Sequence, residues 1–508
     1  MKKLRIISIV IFSAWFASCS DYLDVNRNPS FPQSAPTQVL FPPIFNEIDA
    51  GVGLDTRFIG KYVQNFAQFT ANDTWDLHGY NAGSDNGGQL WRSHYWAIGL
   101  NVDQIIVDAK ANQKWWSSGV AKAIRAWSWQ TTTDYHGEII LKEAWEPNRY
   151  VFDYDEQKDV YAEVIRVAQD ALVDLDKDDQ TNTLTKGDIS SYKGDRDKWK
   201  KMVYAVLARN AHHISNKSSY DPAKVIDYVD KSFSSNADNF SITHLGSTTA
   251  NANPYGPIRL NLGVFKQAAF PISLMNGTVY PGVTDPRMSI MFAPSADNVV
   301  RGITPTLSDP NTGTAVIPNL WGTTTFSNAS QPAGTIGRYI YKNDSDFPII
   351  TYAELQFMKA EAAFKKGDKT TALAAYKSGI SAHIDFVSST TTPGIAAAAK
   401  TNYLASGAVA QTEAALTISH IMLQKYIALV GHGSIETWVD LRRHHYDPSV
   451  YTGFALPATL FTDNGGKPAY RVRPRYNSEY VWNLASLSKF GGDKPDYHTY
   501  EQWFSKPE

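Results

Sequence analysis

Cysteine is almost missing from this chain: Cys19 is the one cysteine in 508 residues. Everything after it must therefore be held by packing and polar contacts, without disulfides. Long hydrophobic runs are also missing. The apolar stretch from Ile6 through Ala17 has twelve residues, short of the roughly 17–25 that a membrane-spanning helix needs, and later stretches of that length are broken by charges or prolines. Nor is there an excess of one charge. Lys and Arg total 48 against 50 Asp and Glu, a net −2, with no basic block, which excludes the electrostatic footprint of a nucleic-acid binder.

Enzyme and metal signatures are lacking too. There is no His-Glu-x-x-His zinc-protease pattern. Gly431-His432-Gly433-Ser434 lacks the glycine spacing of a nucleophile elbow, and its surroundings read as helix. Asp174, Asp176 and Asp178 imitate the start of a calcium loop, but Asp179 stands where glycine is required; the run reads as a solvated helix end. His212-His213 and His444-His445 are adjacent pairs that point to different helix faces. Gly51-Val52-Gly53 has no strand before it and reads as a helix break, not a nucleotide loop. No catalytic residue, cofactor or metal site is expected.

What is present begins at the N-terminus. Met1, Lys2, Lys3 and Arg5 precede the apolar run, which closes on Ser18 and Cys19, the layout of a secretory signal peptide over residues 1–18. Phe16-Ala17-Ser18-Cys19 resembles a bacterial lipobox, in which the cysteine thiol is lipidated and becomes the new N-terminus; the alternative is an ordinary leader with an incidental cysteine. Residues 20–36 are polar and turn-rich and read as a tether, and Pro32, Pro36, Pro42 and Pro43 argue against regular helix there.

Beyond the tether the signal is helical. Residues 39–69 read as helix, and residues 70–88 as a loop rich in turn formers. Four helix pairs follow: 91–109 with 120–135, 161–175 with 199–211, 352–366 with 369–380, and 416–430 with 436–443, each with apolar residues at helical spacing. A short helix over 223–233 is also expected. In the third pair Ala360, Gly367, Ala372, Tyr376 and Gly379 fall at tetratricopeptide spacing: a small contact residue, a turn glycine, then alanine and an aromatic. Residues 235–345 are rich in Gly, Pro, Asn, Ser and Thr and read as a loop-rich insertion with a few short strands. The expected fold is mainly α: tetratricopeptide-like helix pairs folded into one compact body, residues 19–508, with long loop-rich insertions.

Several segments together carry a family resemblance. They are Cys19 through Pro29; Trp91, Tyr95, Ile98 and Asn101; Lys122 through Trp127; Tyr352-Ala353-Glu354 with Lys359 through Ala362; Gln424-Lys425-Tyr426 with Gly431-His432 and Glu436 through Arg443; and Arg473 through Glu479. In this order over most of the chain they resemble the SusD/RagB family of Bacteroidetes outer-membrane lipoproteins, in its SusD-like branch. The resemblance implies a non-enzymatic, lipid-anchored protein at the outer face of the outer membrane. Such a protein binds oligosaccharides, or in some branches peptides, and passes them to a SusC-like TonB-dependent transporter. A lipid-anchored glycan-degrading enzyme is the rival outside the family.

The chain holds 14 Trp, 27 Tyr and 23 Phe, more aromatics than one core consumes, so some are expected to face a ligand. The loop containing Asn72, Asp73, Trp75, Tyr80 and Asn81 combines ring faces with amides and a carboxylate, which suits the C–H faces and hydroxyls of sugars. Trp75 packing the loop onto the body is the alternative. Trp321 and Arg338 in the insertion are further candidates, with Tyr255 and Tyr280 beside them, while Trp91, Trp127 and Trp438 sit on apolar helix faces. If Cys19 is acylated, Cys19→Ala abolishes metabolic fatty-acid labelling; labelling that persists in the variant refutes the lipid anchor.

Overall fold

The computed structural model describes residues 35–508, so the leader, Cys19 and the tether up to residue 34 lie outside the described residues. The architecture is mainly helical, as the apolar stripes imply. Among the described residues no helix is long and apolar enough to cross a membrane.

The first helix, α1 (Thr37–Tyr62), departs from expectation twice. It starts before Pro42 and Pro43 and carries both inside it. Each removes a backbone donor, yet Phe41, Ile44, Phe45 and Ile48 are completely buried on the same turns, and that apolar burial outweighs the lost hydrogen bonds. Gly51-Val52-Gly53 is not a break either. The helix runs straight through, and the glycines are points of close approach: a Cβ on Gly51 would lie 2.9 Å from Ser93 Oγ, and one on Gly53 would lie 2.9 Å from the Pro254 ring.

After the short strand β1 (Phe66–Gln68) and a long loop, helix resumes at Gln89–Arg92. It widens into a π segment, Ser93–Ile98, and continues as α2 (Gly99–Ala111). Then come α3 (Trp115–His136), α4 (Gln157–Leu175), α5 (Arg196–His213), α6 (Pro222–Lys231), α7 (Tyr352–Lys366) and α8 (Lys369–Ser389). Each packs on the next in the chain, including α6 on α7 across the insertion. In α4, Val160, Val164, Val167, Ala171 and Leu175 form the buried stripe, while Glu163, Arg166 and Asp170 pair on the outer face. The α7–α8 turn follows the tetratricopeptide expectation. Thr351 caps α7, Gly367 takes the left-handed conformation at its end, and Asp368 caps α8. Gly379 lets Phe357 approach to where a Cβ would be 2.8 Å from the ring. The ladder is completed by α9 (Ala397–Leu404), α10 (Ile418–Leu429) and α11 (Ser434–Arg443), with α10 packed on α7, α8 and α11.

The 235–345 stretch contributes β2 (Phe240–Ile242) and β3 (Phe265–Gln267). Strand β3 pairs antiparallel with β1, placing Phe66 opposite Gln267. Strand β2 pairs with β4 (Phe347–Ile350) just before α7. The acidic run also departs from the sequence reading. Asp174 is buried and accepts from Ser118 Oγ at 2.7 Å, with Lys122 beside it, and Asp179 accepts the Trp116 N–H at 2.9 Å. Asp174 and Asp179 thus tie the end of α4 to the start of α3, whereas Asp176 and Asp178 are exposed, as a solvated helix end implies.

Charged side chains fill the centre of the ladder. Arg209 of α5 forks onto Glu354 of α7 at 2.7 and 2.8 Å and reaches Glu436 of α11 at 3.4 Å. His213 bridges Glu436 at 2.8 Å and Asp134 of α3 at 3.1 Å. Glu361 of α7 takes His212 at 2.8 Å and Arg443 of α11 at 2.9 Å, and Asp440 pairs with Lys425 of α10 at 2.8 Å. Asp134, His213 and Glu436 are a set that could hold a metal ion. Here, however, both imidazole nitrogens point at carboxylates, and Asp134 also takes donors from Gln130 and Tyr161, so the set is organised as an ionic bridge.

Burial works against a proton on His213, but the facing carboxylates of Glu436 and Asp134 outweigh it and raise its pKa to about 9 from 6.5. A histidine raised in the fold adds stability that is complete below its unfolded pKa and is lost as pH climbs through the folded one. Burial pushes His78, His136, His212, His432 and His498 down to about 3, so their effect runs the other way and is confined to pH near and below the unfolded value of 6.5, while Asp55 and Asp76, raised by burial to about 7, titrate out by neutral pH. Above these transitions His213 remains, and the melting temperature is expected to fall as pH climbs from roughly 8 through about 9. In His213→Gln that slope disappears and melting is lower throughout. A wild-type-like slope in the variant assigns the effect to other groups.

Candidate ligand-binding site

The 69–88 loop is fixed from below by α1. Asp73 pairs with Lys61 at 2.7 Å and accepts the backbone N–H groups of Trp75 and Asp76, making a tight local turn. Phe58 and Tyr62, one turn apart on α1, cover the Trp75 indole with ring centroids at 4.8 and 5.4 Å. The Tyr62 hydroxyl donates to the Gly79 carbonyl, and Trp75 Nε1 donates to Asn81 Oδ1 at 2.7 Å. Trp75 is only 3% exposed. It is chiefly the plug that seats the loop, and only an edge of it reaches the surface cavity above.

A second wall comes from the far end of the chain. Residues 470–475 run over the end of α3, where the Val472 N–H donates to the Tyr135 carbonyl at 3.0 Å. They lead into another π segment, Tyr476–Tyr480. Its terminal tyrosines stack, with centroids 5.7 Å apart and planes 13° from parallel. Asp85 clamps the walls together, pairing with Arg475 at 2.7 Å and accepting from the Asn477 backbone N–H and side-chain Nδ2 at 2.9 and 2.8 Å. Gly87 is required under this clamp. Its φ is +79°, and a Cβ there would lie 2.9 Å from Val472 Cγ1 and 3.0 Å from the Trp75 ring.

Between the walls lies a cavity of about 190 Å³ lined by Tyr80, Asn81, Asp85, Asn86, Arg473, Arg475, Tyr476 and Tyr480, with Tyr62, Trp75 and His498 beneath. Arg473 lies over the Tyr80 ring at 3.9 Å. It is held there by donating to the carbonyls of Lys494 and Pro495 at 2.6 and 2.7 Å and to the Tyr480 hydroxyl at 3.1 Å. His498 packs tilted under Tyr80 with ring centroids 4.8 Å apart, and burial, reinforced by Arg473, pushes its pKa down to about 3, so it is neutral at physiological pH. The result is half-exposed aromatic faces bordered by amides, a carboxylate and two guanidinia. Such a surface can stack on sugar rings and hydrogen-bond to their hydroxyls.

The predicted site residues divide. Tyr80, Asn81 and the edge of Trp75 meet in this cavity. Asn72 is outside it, exposed, with its backbone N–H on the Thr306 carbonyl at 3.1 Å; Asp73 is occupied by Lys61. Trp321 is buried, with Nε1 donating to the Tyr255 carbonyl at 2.7 Å, and Tyr255 is itself fully buried. Arg338 donates to the carbonyls of Ser289 and Ile290 at 2.7 and 3.1 Å. Those two positions hold the insertion together and present nothing to this cavity. Trp91, Trp127 and Trp438 are buried, as their stripes imply. The residues that sequence reasoning missed are Asp85, Asn86, Arg473, Arg475, Tyr476 and Tyr480. One signal was available: two tyrosines four apart after Arg-Pro-Arg, outside any apolar stripe.

A sequence profile described as SusD-like, "Starch-binding associating with outer membrane", matches residues 30–471. The chain belongs to the SusD-like family. Its fold is also that of solved SusD relatives. A SusD/RagB family protein from Bacteroides thetaiotaomicron superposes with a TM-score of 0.70 at 20% identity, covering 94% of this chain and 100% of that one. A chitin-binding protein gives 0.70 at 22% identity, covering 93% and 100%. A chitin-binding SusD homolog from Flavobacterium johnsoniae gives 0.69 at 19%, covering 92% and 98%. A search of curated proteins found no match.

Because Trp75 is a plug, Trp75→Ala is expected to cost about 3–5 kcal/mol of stability, read as a lower denaturant midpoint. A variant as stable as the parent would show that the loop is seated by other contacts.

Proposed function

We propose that this SusD-like protein is a non-enzymatic binder of neutral oligosaccharides, held at the outer face of the outer membrane by a lipid on Cys19. It hands its cargo to a SusC-like TonB-dependent transporter. The observation that carries the binding half is the cleft between Tyr80 and the stacked Tyr476–Tyr480 pair, with Asn81, Asn86 and Asp85 at its edges. Flat ring faces beside planar polar groups are what pyranose rings need. The starch-binding description of the family and the two chitin-binding proteins of similar structure support a glycan over a peptide. The buried carboxylates of the ladder are engaged in ion pairs. None lines this cavity, where Asp85 is the acidic residue and is committed to Arg475. That arrangement supports binding without hydrolysis, since a glycosidase needs two carboxyl groups flanking the bond.

In this mechanism the sugar stacks on tyrosines whose positions are set before it arrives. Arg473 is immobilised by backbone carbonyls and holds Tyr80 in place. Little ordering is left to do on binding, which favours capture from dilute solution.

Calorimetry with maltohexaose and chitohexaose tests the reading. Tyr476→Ala is expected to weaken binding of the recognised sugar by about 1–3 kcal/mol, with melting unchanged. An unaltered affinity in both Tyr476→Ala and Tyr480→Ala would move the site elsewhere, and binding of a peptide library in place of either sugar would reassign the cargo. A tagged chain extracted in mild detergent should bring a barrel transporter with it; recovery of the chain alone at native expression counts against the handover.

A further inference from the structure

A larger cavity adjoins the proposed sugar cleft, sharing Arg475 with it. It measures about 420 Å³ and is lined by Tyr95, Trp96, Ile140, Trp145 and Phe152, with Arg92, Arg475, Ser478 and Glu479 at its polar edge. Both π segments of the described residues meet here: Ser93–Ile98 supplies Tyr95 and Trp96, and Tyr476–Tyr480 supplies Ser478 and Glu479. π-bulges inside helices are concentrated at functional sites. A third irregularity lies on the opposite wall. Trp145 has φ +64°, a left-handed conformation that is costly for a bulky side chain. It is kept there by Nε1 donating to the Tyr95 carbonyl at 2.6 Å and by Arg125 over its ring at 4.7 Å. Gly99 makes room for the ring, since a Cβ there would fall 2.1 Å from Trp145 Cζ2.

The walls offer a sugar little to bond with. The Tyr95 hydroxyl is spent on the Ile140 carbonyl at 2.7 Å, and Trp145 Nε1 is spent as above. The Glu479 carboxylate takes the Tyr154 hydroxyl at 2.7 Å and Asn483 Nδ2 at 3.0 Å, both on Oε2, which leaves Oε1 as one acceptor for a whole ring of hydroxyls. A bare pyranose placed here would leave hydroxyls unpaired, a desolvation cost without return. The open faces are aromatic, with Trp96 58% exposed under the Arg92 guanidinium at 4.5 Å. The two rim groups able to meet an acceptor oxygen are the arginines. An apolar flat body carrying a carbonyl or carboxylate matches that combination.

Building on the oligosaccharide reading, we propose that this cavity is a second subsite that takes an aromatic acyl group borne by the glycan. The aryl ring lies among Tyr95, Trp96, Trp145 and Phe152, and its carbonyl or carboxylate oxygen faces Arg92 and Arg475. The sugar ring that carries it occupies the tyrosine cleft next door. The protein is then selective for acylated glycans over the same chains stripped of their esters.

The test uses the full mature chain and free 4-hydroxycinnamate as the probe, followed by quenching of tryptophan fluorescence and by calorimetry. Saturable binding to the parent is expected, weakened at least tenfold in Trp96→Ala and unchanged in Tyr476→Ala. Trp96 is exposed, so its removal leaves the fold intact, and a thermal melt verifies this. Absence of saturable binding, or equal binding to the parent and Trp96→Ala, overturns the proposal. A loss in Trp96→Ala of affinity for unsubstituted maltohexaose or chitohexaose as large as the loss for 4-hydroxycinnamate also overturns it, because the cavity would then be a plain sugar subsite. The oligosaccharide reading stands or falls separately, on Tyr476→Ala with the unsubstituted sugars.

Discussion

The structure depends on a buried ionic lattice that fixes the helices relative to one another. Arg209, Glu354, His213, Asp134 and Glu436 join α3, α5, α7 and α11, and Glu361, Arg443, Asp440 and Lys425 extend the lattice to α10. Buried ion pairs contribute little net stability over apolar packing, but removing one partner is costly because the other charge stays behind unpaired. Their value here is register. Apolar stripes slide over one another at small cost, whereas a guanidinium fork on a carboxylate has one geometry. In a chain with no cysteine after residue 19, these pairs select one arrangement of the ladder from many of similar apolar burial.

The lattice reaches the candidate cleft through α11. Arg442, next to Arg443, lies over the Trp438 ring at 3.9 Å and donates to the carbonyls of Asp134 and Tyr470 at 2.8 and 2.9 Å. The segment that becomes the second wall is thus pinned where it leaves the helical body. Trp438 packs on Tyr62 at 5.4 Å, Tyr62 stacks on Trp75, and Trp75 is bonded to Asn81. A continuous aromatic column connects the lattice to the cleft floor, so the rings that face solvent are set by groups that never see it.

Much of the helical body was legible in the sequence because helical periodicity is local. The stripe of α4, the turn at Gly367-Asp368 and the small-residue contacts of α7 with α8 can all be read within about twenty residues. What could not be read was decided at a distance. Pro42 and Pro43 stay helical because of what Phe41 and Phe45 bury. Gly51 and Gly53 look like a break until Ser93 and Pro254 are found against them. Trp75 sits among turn formers and looks exposed, yet Phe58 and Tyr62 of α1 cover it, and nothing in the α1 stripe says which loop it will cover. The cleft itself was half legible. Its first wall is a compact aromatic and amide loop, but the partner wall lies 392 residues further along, beyond the reach of any local pattern.

That separation gives the clamp at Asp85 a meaning in time. The loop that supplies Tyr80 belongs to the early part of the chain, and the tyrosines opposite it belong to the last thirty-odd residues. A polypeptide emerging N-terminus first can assemble most of the helical ladder with only half a cleft. A chain stopped between the end of α11 and Tyr476 would contain every helix of the ladder but no opposing wall. The cleft is therefore closed only by residues that follow the helical ladder.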